Sequence, residues 1–520
     1  MLTPMSQPLV LDGQGLSIDD VASVARGDRP VRLGNAGREA LQRSRAVVER
    51  SLQTGEAIYG VNTGFGSLAR ERIAPDQVRE VQRNLIRSHS AGVGEPLSES
   101  VVRSMLLLLA ASLCRGCSGV RPVVVERLID FLNHRVVPVV PSRGSVGASG
   151  DLAPLAHCAL ALIGEGHAMH DGAFKPGGKA LADAGLKPII LEAKEGLALI
   201  NGTHLMASLA SLALHDLQRL MDAAVVAVAM SIDACLATDS FLDDRLHAAR
   251  HQVGQRDIAR RLRECLHGST IIPSHKIDDP RVQDPYSLRC SPQILGAVVD
   301  TIEHVRTIIE RELQGVSDNP LVFAAQGGRG DAIISGGNFH GLPLAIAMDA
   351  AAIAVAHLAG VSERRVYYLL AASDSENPLN PYLSPQPGLH SGLMIVQYTA
   401  AACCNEIQTL CVPASVANIP TSAGQEDYNS FGPNSGYKLR RAVELATNVV
   451  AIELLCSAEA MEYHRPLHSG AEVERAHQTV RKVVSRLTAD RPMTKDIEAI
   501  VRLIHTGQFG AGNGDASLPS

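Results

Sequence analysis

The stretch GSVGASGDLAPLAH, residues 144–157, is the part of the sequence on which the interpretation of fold and function depends. Glycine recurs at positions 144, 147 and 150, which indicates a loop rather than the interior of a helix or strand. One interpretation is an ordinary Gly/Ser loop before a helix, with Asp151 as N-cap and Pro154 in the first turn. A phosphate-binding loop is a second interpretation, but the Walker spacing and its Lys are absent.

The tripeptide Ala148-Ser149-Gly150 allows a third interpretation. A glycine nitrogen is the least hindered backbone nucleophile, and glycine reaches backbone conformations that other residues avoid. If the Gly150 nitrogen adds to the Ala148 carbonyl, a five-membered ring closes. Loss of water then turns Ser149 into a methylidene group. The product would be an electrophile made from the chain itself.

Composition and charge exclude several classes of function. The chain has 520 residues, 46% of them apolar, and a formal net charge of -6. An acidic balance argues against nucleic acid and against an anionic membrane surface as the main partner. The apolar stretches are about ten residues long, short of the roughly 20 that a membrane span needs. With no signal peptide visible and ten thinly spread cysteines, we expect a reduced, cytoplasmic protein.

The sequence pattern predicts a mainly α fold, with a mixed N-terminal part and a long central helical bundle. We expect an N-terminal domain over residues 1–200 that carries the loop, a helical bundle domain over 201–505, and a flexible tail over 506–520. Short strands are expected at 187–191 and 332–334. Helices are expected at about 75–92, 98–135, 204–238, 291–314, 342–370, 391–411 and 433–463.

The segment ASGDLAPLAH, residues 148–157, resembles the signature of the aromatic amino acid ammonia-lyases. The similarity runs in the expected order from about residue 58 to about residue 461. It implies an ammonia-lyase fold, similar to the fumarase-aspartase bundle. It also implies a 4-methylideneimidazol-5-one (MIO) group formed from Ala148-Ser149-Gly150, with no external cofactor and no metal.

The resemblance also implies roles for residues that, taken singly, are ordinary turn, cap, surface or core positions. Tyr59, on a glycine-rich loop, would remove the β-proton. Arg289 would bind the substrate carboxylate as a planar fork. The remaining residues implied at the site are Asn201 near the substrate amine, Gln283 and Tyr286 around the MIO ring, Phe339 beside it, and Glu426 in the pocket.

Substrate choice is predicted from fewer residues. The pair Ser88-His89 stands at the selectivity position of the family and is similar to the histidine-specific members, as is Glu426. An imidazole can form hydrogen bonds with these polar groups, whereas a phenyl ring leaves them unpaired. We therefore expect ammonia elimination from histidine to give urocanate. Several residues depart from the histidine-specific pattern: His204, His390, Tyr428 and the run 372–378.

Other functions stay open. Tyrosine or phenylalanine elimination, or a 2,3-aminomutase reaction, is the alternative within the family. An inactive structural homologue or an aspartase-like lyase is more remote. Cys114 with Cys117, and His464 with His468, lack the further ligands of a zinc site. The family resemblance implies a homotetramer whose active sites are shared between subunits and act on a small amino acid.

Overall fold

The computed structural model of the protein describes residues 7–53, 58, 60–64, 71–277, 279, 281–372 and 378–510. This described part is mainly α-helical, as the sequence predicts. The helices are α1 (Ile18–Ala25), α2 (Asn35–Gln53), α3 (Val78–His89), α4 (Glu99–Cys114), α5 (Pro122–Asn133), α6 (Leu152–Leu162), α7 (Gly177–Asp183), α8 (Glu195–Ile200), α9 (His204–Ala234), α10 (Asp244–Arg250), α11 (Val253–Leu266), α12 (Ile271–Ser274), α13 (Tyr286–Arg289), α14 (Ser291–Glu312), α15 (Leu342–Ala371), α16 (Met394–Leu410), α17 (Gly432–Met461), α18 (Ala471–Arg481) and α19 (Thr494–His505).

The strands are short and form small separate sheets. Strands β1 and β2 pair in parallel, while β3 with β5, β4 with β6 and β7, and β8 with β9 are antiparallel. Their bounds are β1 (Leu9–Leu11), β2 (Val31–Leu33), β3 (Val93–Pro96), β4 (Val137–Pro138), β5 (Pro141–Arg143), β6 (His167–His170), β7 (Ala173–Pro176), β8 (Leu321–Phe323) and β9 (Ala332–Ile334).

The chain divides into two compact units, each built from three segments. The first unit comprises Met1–Leu212, Arg306–Met348 and Pro413–Tyr437. The second unit comprises Ala213–Val305, Asp349–Val412 and Lys438–Ser520. The sequence-based domain bounds at residues 200 and 505 stay predictions, and residues 511–520 of the expected tail lie outside the described part.

The predicted elements are confirmed in most places and wrong in two. The predicted helix over 98–135 is two helices, α4 and α5, because Gly116 and Gly119 adopt φ values of +70° and +69° between them. The predicted strand over 187–191 does not form. Pro188 there has no N–H to donate, and the Ile189 N–H bonds to the Leu162 carbonyl outside any sheet.

Aliphatic side chains build the core of the first unit. From Val101 to Cys114 every residue of α4 is buried, so this helix is buried on all faces rather than on one stripe. It packs against α1, α2 and α5. The whole chain has only 17 Phe and Tyr residues. Leucine, valine and alanine therefore fill core space that aromatic side chains occupy in other proteins.

One described helix, α15, is long and apolar enough to cross a membrane by length and composition. Within its most apolar window, 67% of the residues are buried inside the protein. Burial of this kind is also found in the core helix of a globular protein.

A buried charged cluster lies within the second unit. The Glu453 carboxylate accepts hydrogen bonds from Arg365 and from the hydroxyls of Ser231 and Ser362, with Arg365 Nη2 at 2.8 Å from Glu453 Oε2. The side chains of Arg365 and Glu453 are both fully buried. Full pairing compensates for removing these charges from water.

Candidate active site

The glycine-rich loop adopts a conformation in which its own side chains hold its backbone. The Ser145 hydroxyl donates to Asp151 Oδ1 at 3.0 Å and accepts the Gly147 N–H at 3.2 Å. Ala148, the first residue of the tripeptide, is buried at 5% exposure, while Ser149 is half-buried. The loop therefore presents the middle residue of the tripeptide and encloses the first.

Position 150 accepts only glycine. Gly150 has a φ of +73°, and a Cβ placed on it would lie 2.1 Å from the Gly202 carbonyl oxygen. The neighbouring Asp151 N–H donates to this same Gly202 oxygen at 2.7 Å. The absence of a side chain thus lets the tripeptide lie directly against the backbone at residue 202.

Asp151 begins α6, as predicted, but its side chain caps a different helix. Its carboxylate accepts the N–H groups of Leu205 at 2.9 Å and Met206 at 3.0 Å, in the first turn of α9. Complete burial raises the pKa of Asp151 to about 7, against the lowering effect of these hydrogen bonds. Asp151 therefore fixes the loop to the start of α9.

Asn201 ends α8 and is buried at 3% exposure. Its Nδ2 donates to the backbone carbonyl of Asn319 at 3.2 Å. The Asn319 carbonyl can only accept a hydrogen bond, so the Asn201 amide atom that contacts it must be the NH₂ group. The other atom of the Asn201 amide is therefore Oδ1. Asn201 Oδ1 is buried and has no hydrogen-bond partner in the described part of the chain.

The tripeptide and Asn201 border a cavity of about 410 Å³ within the first unit. Phe339 and Glu426, both expected at the site, line it as well. The full lining is Ala148, Ser149, Asn201, Asn319, Ser335, Gly336, Phe339, His340, Gln425, Glu426, Asp427 and Tyr428.

Glu426 is fixed opposite the tripeptide. Its Oε1 lies 3.4 Å from the Ser149 hydroxyl, which donates to it. Its Oε2 accepts the Thr421 hydroxyl at 2.7 Å, and the Thr421 N–H donates to the Glu426 carbonyl at 2.9 Å. One carboxylate oxygen is thus held by the protein while the other faces the cavity.

His89 lies in the last turn of α3 and is half-buried. Its Nδ1 is 2.9 Å from the Leu85 carbonyl, so that nitrogen carries the proton and Nε2 presents a lone pair. Burial lowers the pKa of His89, opposed by the Leu85 carbonyl and by the negative charge of Glu426. His89 is not among the residues that line the cavity, whereas Glu426 is.

Three residues expected at the site belong to the second unit. Tyr286 and Arg289 lie at the two ends of α13, with the Arg289 guanidinium carbon 4.8 Å from the centre of the Tyr286 ring. Tyr286 is 69% exposed. Neither these two residues nor Gln283 is among those that line the cavity. Tyr59, the expected base, lies outside the described residues.

The cavity also contains residues that the sequence analysis gave no role. Asn319 follows a buried Asp and precedes a Pro, and this pattern in the sequence indicates no more than a turn. Among the described residues, no hydrogen bond joins the side chains of His340 and Glu426. His340 Nε2 instead lies 3.1 Å from the Tyr428 carbonyl oxygen. Gln425 and Asp427 flank Glu426 in the sequence. That proximity was the one feature of the sequence that could have indicated their place in the cavity lining.

The comparisons with known proteins agree with this arrangement. A family model described as aromatic amino acid lyase matches residues 16–482. The chain belongs to the aromatic amino acid lyase family. It is accordingly a carbon–nitrogen lyase, and the sequence resemblance to this family is confirmed.

Members of the aromatic amino acid lyase family align with nearly the whole chain. A histidine ammonia-lyase of Sorangium cellulosum is 47% identical, covering 98% of this chain and 100% of its own. The crystal structure of histidine ammonia-lyase from Trypanosoma cruzi is similar with a TM-score of 0.89 and 38% identity, covering 97% of this chain and 94% of that one. A tyrosine aminomutase from Streptomyces globisporus has the same TM-score at 34% identity, covering 97% and 98%.

Proposed function

We propose that the protein eliminates ammonia from L-histidine to give urocanate. The Ser149–Glu426 contact at 3.4 Å carries this proposal, because it places a carboxylate beside the tripeptide in the cavity. The histidine ammonia-lyases to which the chain is similar support the same substrate. Urocanate is the α,β-unsaturated acid that remains when ammonia leaves histidine.

The tripeptide Ala148-Ser149-Gly150 fits the formation of an MIO group. The glycine-only conformation at Gly150, its close approach to Gly202 and the burial of Ala148 all support cyclisation of this segment. When formed, the group supplies an electrophilic carbon–carbon double bond, which the ordinary side chains lack. This helps an elimination in which the β-proton has little acidity.

The residues of the cavity bind and orient the substrate in this proposal. Asn201 Oδ1, buried and unpartnered, accepts a hydrogen bond from the substrate amine. Glu426 accepts an N–H of the substrate imidazole. His89, which lies outside the cavity lining, is the residue that we propose to add a second polar contact to the ring. Phe339 forms an apolar wall. A phenyl ring offers no hydrogen-bond donor to the Glu426 oxygen that it would cover, at a cost of about 1–3 kcal/mol.

Residues outside the cavity complete the proposed reaction. Tyr59 removes the β-proton, and Arg289 holds the substrate carboxylate in register. Gln283 and Tyr286 add hydrogen bonds around the tripeptide. As the family resemblance implies, we propose a homotetramer in which neighbouring subunits supply Gln283, Tyr286 and Arg289 to the site. We also place the enzyme in the cytoplasm.

The decisive experiment compares histidine, tyrosine and phenylalanine as substrates. The unsaturated acids are followed by near-ultraviolet absorbance, and the products are checked for β-amino acids. We expect kcat/KM for histidine to exceed the other two values by more than about tenfold. A higher kcat/KM for tyrosine or phenylalanine, or a β-amino acid as main product, would contradict the proposal.

A further inference from the structure

Four segments of the chain lie side by side along one wall of the cavity. The Asp151 N–H donates to the Gly202 carbonyl at 2.7 Å, which joins the tripeptide loop to residues 201–203. The Thr203 N–H donates to Ser317 Oγ at 3.2 Å, which joins residues 201–203 to residues 317–319. The fourth segment, residues 335–336, is attached through the side chain of Asn319.

Asn319 makes hydrogen bonds to Asn201 and to residues 335–336, using three different atoms. Its backbone carbonyl accepts Asn201 Nδ2 at 3.2 Å. Its Oδ1 accepts the Gly336 N–H at 2.7 Å, and its Nδ2 donates to Ser335 Oγ at 3.2 Å. Asn319 is 5% exposed, so these contacts are shielded from competing water.

A buried ion pair fixes the peptide that precedes Asn319. The Asn319 N–H donates to Asp318 Oδ1 at 2.6 Å, and Lys194 Nζ donates to Asp318 Oδ2 at 2.6 Å. The Lys194 and Asp318 side chains are 0% and 3% exposed. Lys194 precedes α8, the helix that Asn201 ends. Asn201 is therefore tied to residues 318–319 both through its side chain and through its helix.

We propose that Asn319 is a positioning residue that fixes the rotation of the Asn201 amide. This inference rests on the role given to Asn201 in the proposed function. Because Asn201 Nδ2 is engaged by the Asn319 carbonyl, Oδ1 is the amide atom left to accept the substrate amine. The Asn319 side chain holds that carbonyl in place by its two bonds to residues 335–336. Without the Asn319 side chain, the Asn201 amide can rotate. Its contact with the substrate amine is then weakened most in the transition state, where geometry matters most.

The test compares Asn319→Ala with Asn133→Ala in the assembled enzyme. Asn133 is a matched control, since its side-chain amide also makes two bonds to another segment, with Val31 N at 2.9 Å and Val31 O at 2.8 Å, and neither residue lines the cavity. We expect Asn319→Ala to lower kcat for histidine about tenfold with KM changed less than about twofold. Asn133→Ala should lower the thermal midpoint and leave kcat unchanged.

The double variant Asn201→Ala/Asn319→Ala shows whether Asn319 acts through Asn201. We expect its kcat to lie within about twofold of Asn201→Ala alone, because the second change removes support from a side chain already absent. Multiplied losses would overturn the inference. So would an unaffected Asn319→Ala beside an impaired Asn201→Ala. An unaffected Asn201→Ala would instead contradict the proposed role of Asn201 itself.

Asn319→Asp keeps the inference testable if the alanine variant does not fold. The aspartate has the same shape, still accepts the Gly336 N–H, and can accept the Ser335 hydroxyl, which is able to rotate and donate. We expect kcat to be restored to within about threefold of the unsubstituted enzyme. A kcat reduced tenfold or more in a folded Asn319→Asp tetramer would overturn the proposal.

Discussion

The Ser149 hydroxyl donates to the Glu426 carboxylate at 3.4 Å, although the two residues are 277 positions apart in the sequence. The first lies in the tripeptide that we propose to cyclise, and the second is the residue that we propose to bind the substrate ring. A substrate held by Glu426 is therefore held beside the reacting centre.

Ser149→Ala removes the atom whose loss would create the double bond. We expect this variant to fold and assemble normally and to lose nearly all turnover, by about 1000-fold or more. Ser142→Ala, in β5 and outside the cavity lining, should keep full activity. Urocanate formation and oligomeric state are measured for both. Substantial turnover in assembled Ser149→Ala would exclude the prosthetic-group mechanism.

Gly150→Ala tests the backbone requirement for cyclisation. The added Cβ would meet the Gly202 carbonyl oxygen at 2.1 Å, at a φ of +73°. Gly172→Ala is the matched control, since Gly172 has a φ of +72° with nothing within 4 Å of the added carbon. We expect Gly172→Ala to cost about 1 kcal/mol of stability and to cyclise normally. Gly150→Ala should retain its full mass and be inactive; a cyclised Gly150→Ala chain would show that the close approach is not needed.

Glu426→Gln tests substrate choice while preserving shape. The histidine kcat/KM should fall about tenfold to a hundredfold, because the charge-assisted bond to the imidazole N–H is lost. The phenylalanine kcat/KM should change less than about threefold, since that ring makes no such bond. Glu39→Gln, on the surface of α2, should change neither value. Equal losses for the two substrates in Glu426→Gln would remove Glu426 from the substrate side.

His204→Gln tests the pH dependence of stability. Complete burial lowers the pKa of His204 from 6.5 to about 3, so the folded protein holds this ring neutral. The unfolded chain binds the proton at higher pH, and the stability that neutral His204 contributes is present above pH 6.5 and lost as pH falls. Between pH 6.5 and about pH 4.5 this loss amounts to about 2–3 kcal/mol.

Urea unfolding at several pH values measures that loss. The stability of His204→Gln relative to the unsubstituted enzyme should rise as pH falls below 6.5. His134→Gln, at an exposed position, provides the comparison and should leave the pH profile unchanged. A constant stability difference between His204→Gln and the unsubstituted enzyme from about pH 4.5 to about pH 7.5 would contradict the burial effect.

Local patterns were enough to predict the long helices and the tripeptide loop. Apolar residues at helical spacing located α9, α14 and α15 to within a few residues. The capping of α9 by Asp151 could not be predicted in this way. That contact joins residues about 50 positions apart, and an Asp before a helix looks the same whichever helix its side chain caps.

The sequence indicated those candidate site residues that belong to a family motif. It did not indicate residues that reach the cavity only through tertiary contacts. Ser149, Asn201, Phe339 and Glu426 line one cavity, and their roles stay predictions. Asn319 was not predicted, because its contribution to the cavity wall depends on its backbone carbonyl, which every residue type possesses. Only the folded chain shows that Lys194, Asp318 and Asn201 meet around it.

The most direct test of the central claim is the intact mass of the purified, unsubstituted chain. Two dehydrations accompany the proposed closure of Ala148-Ser149-Gly150 and the loss of the Ser149 hydroxyl. We predict a mass lower than that of the amino-acid sequence by two water molecules, and the full mass in Gly150→Ala, whose added Cβ meets the Gly202 carbonyl oxygen. An unsubstituted, active enzyme with the full mass of its sequence would contradict the account.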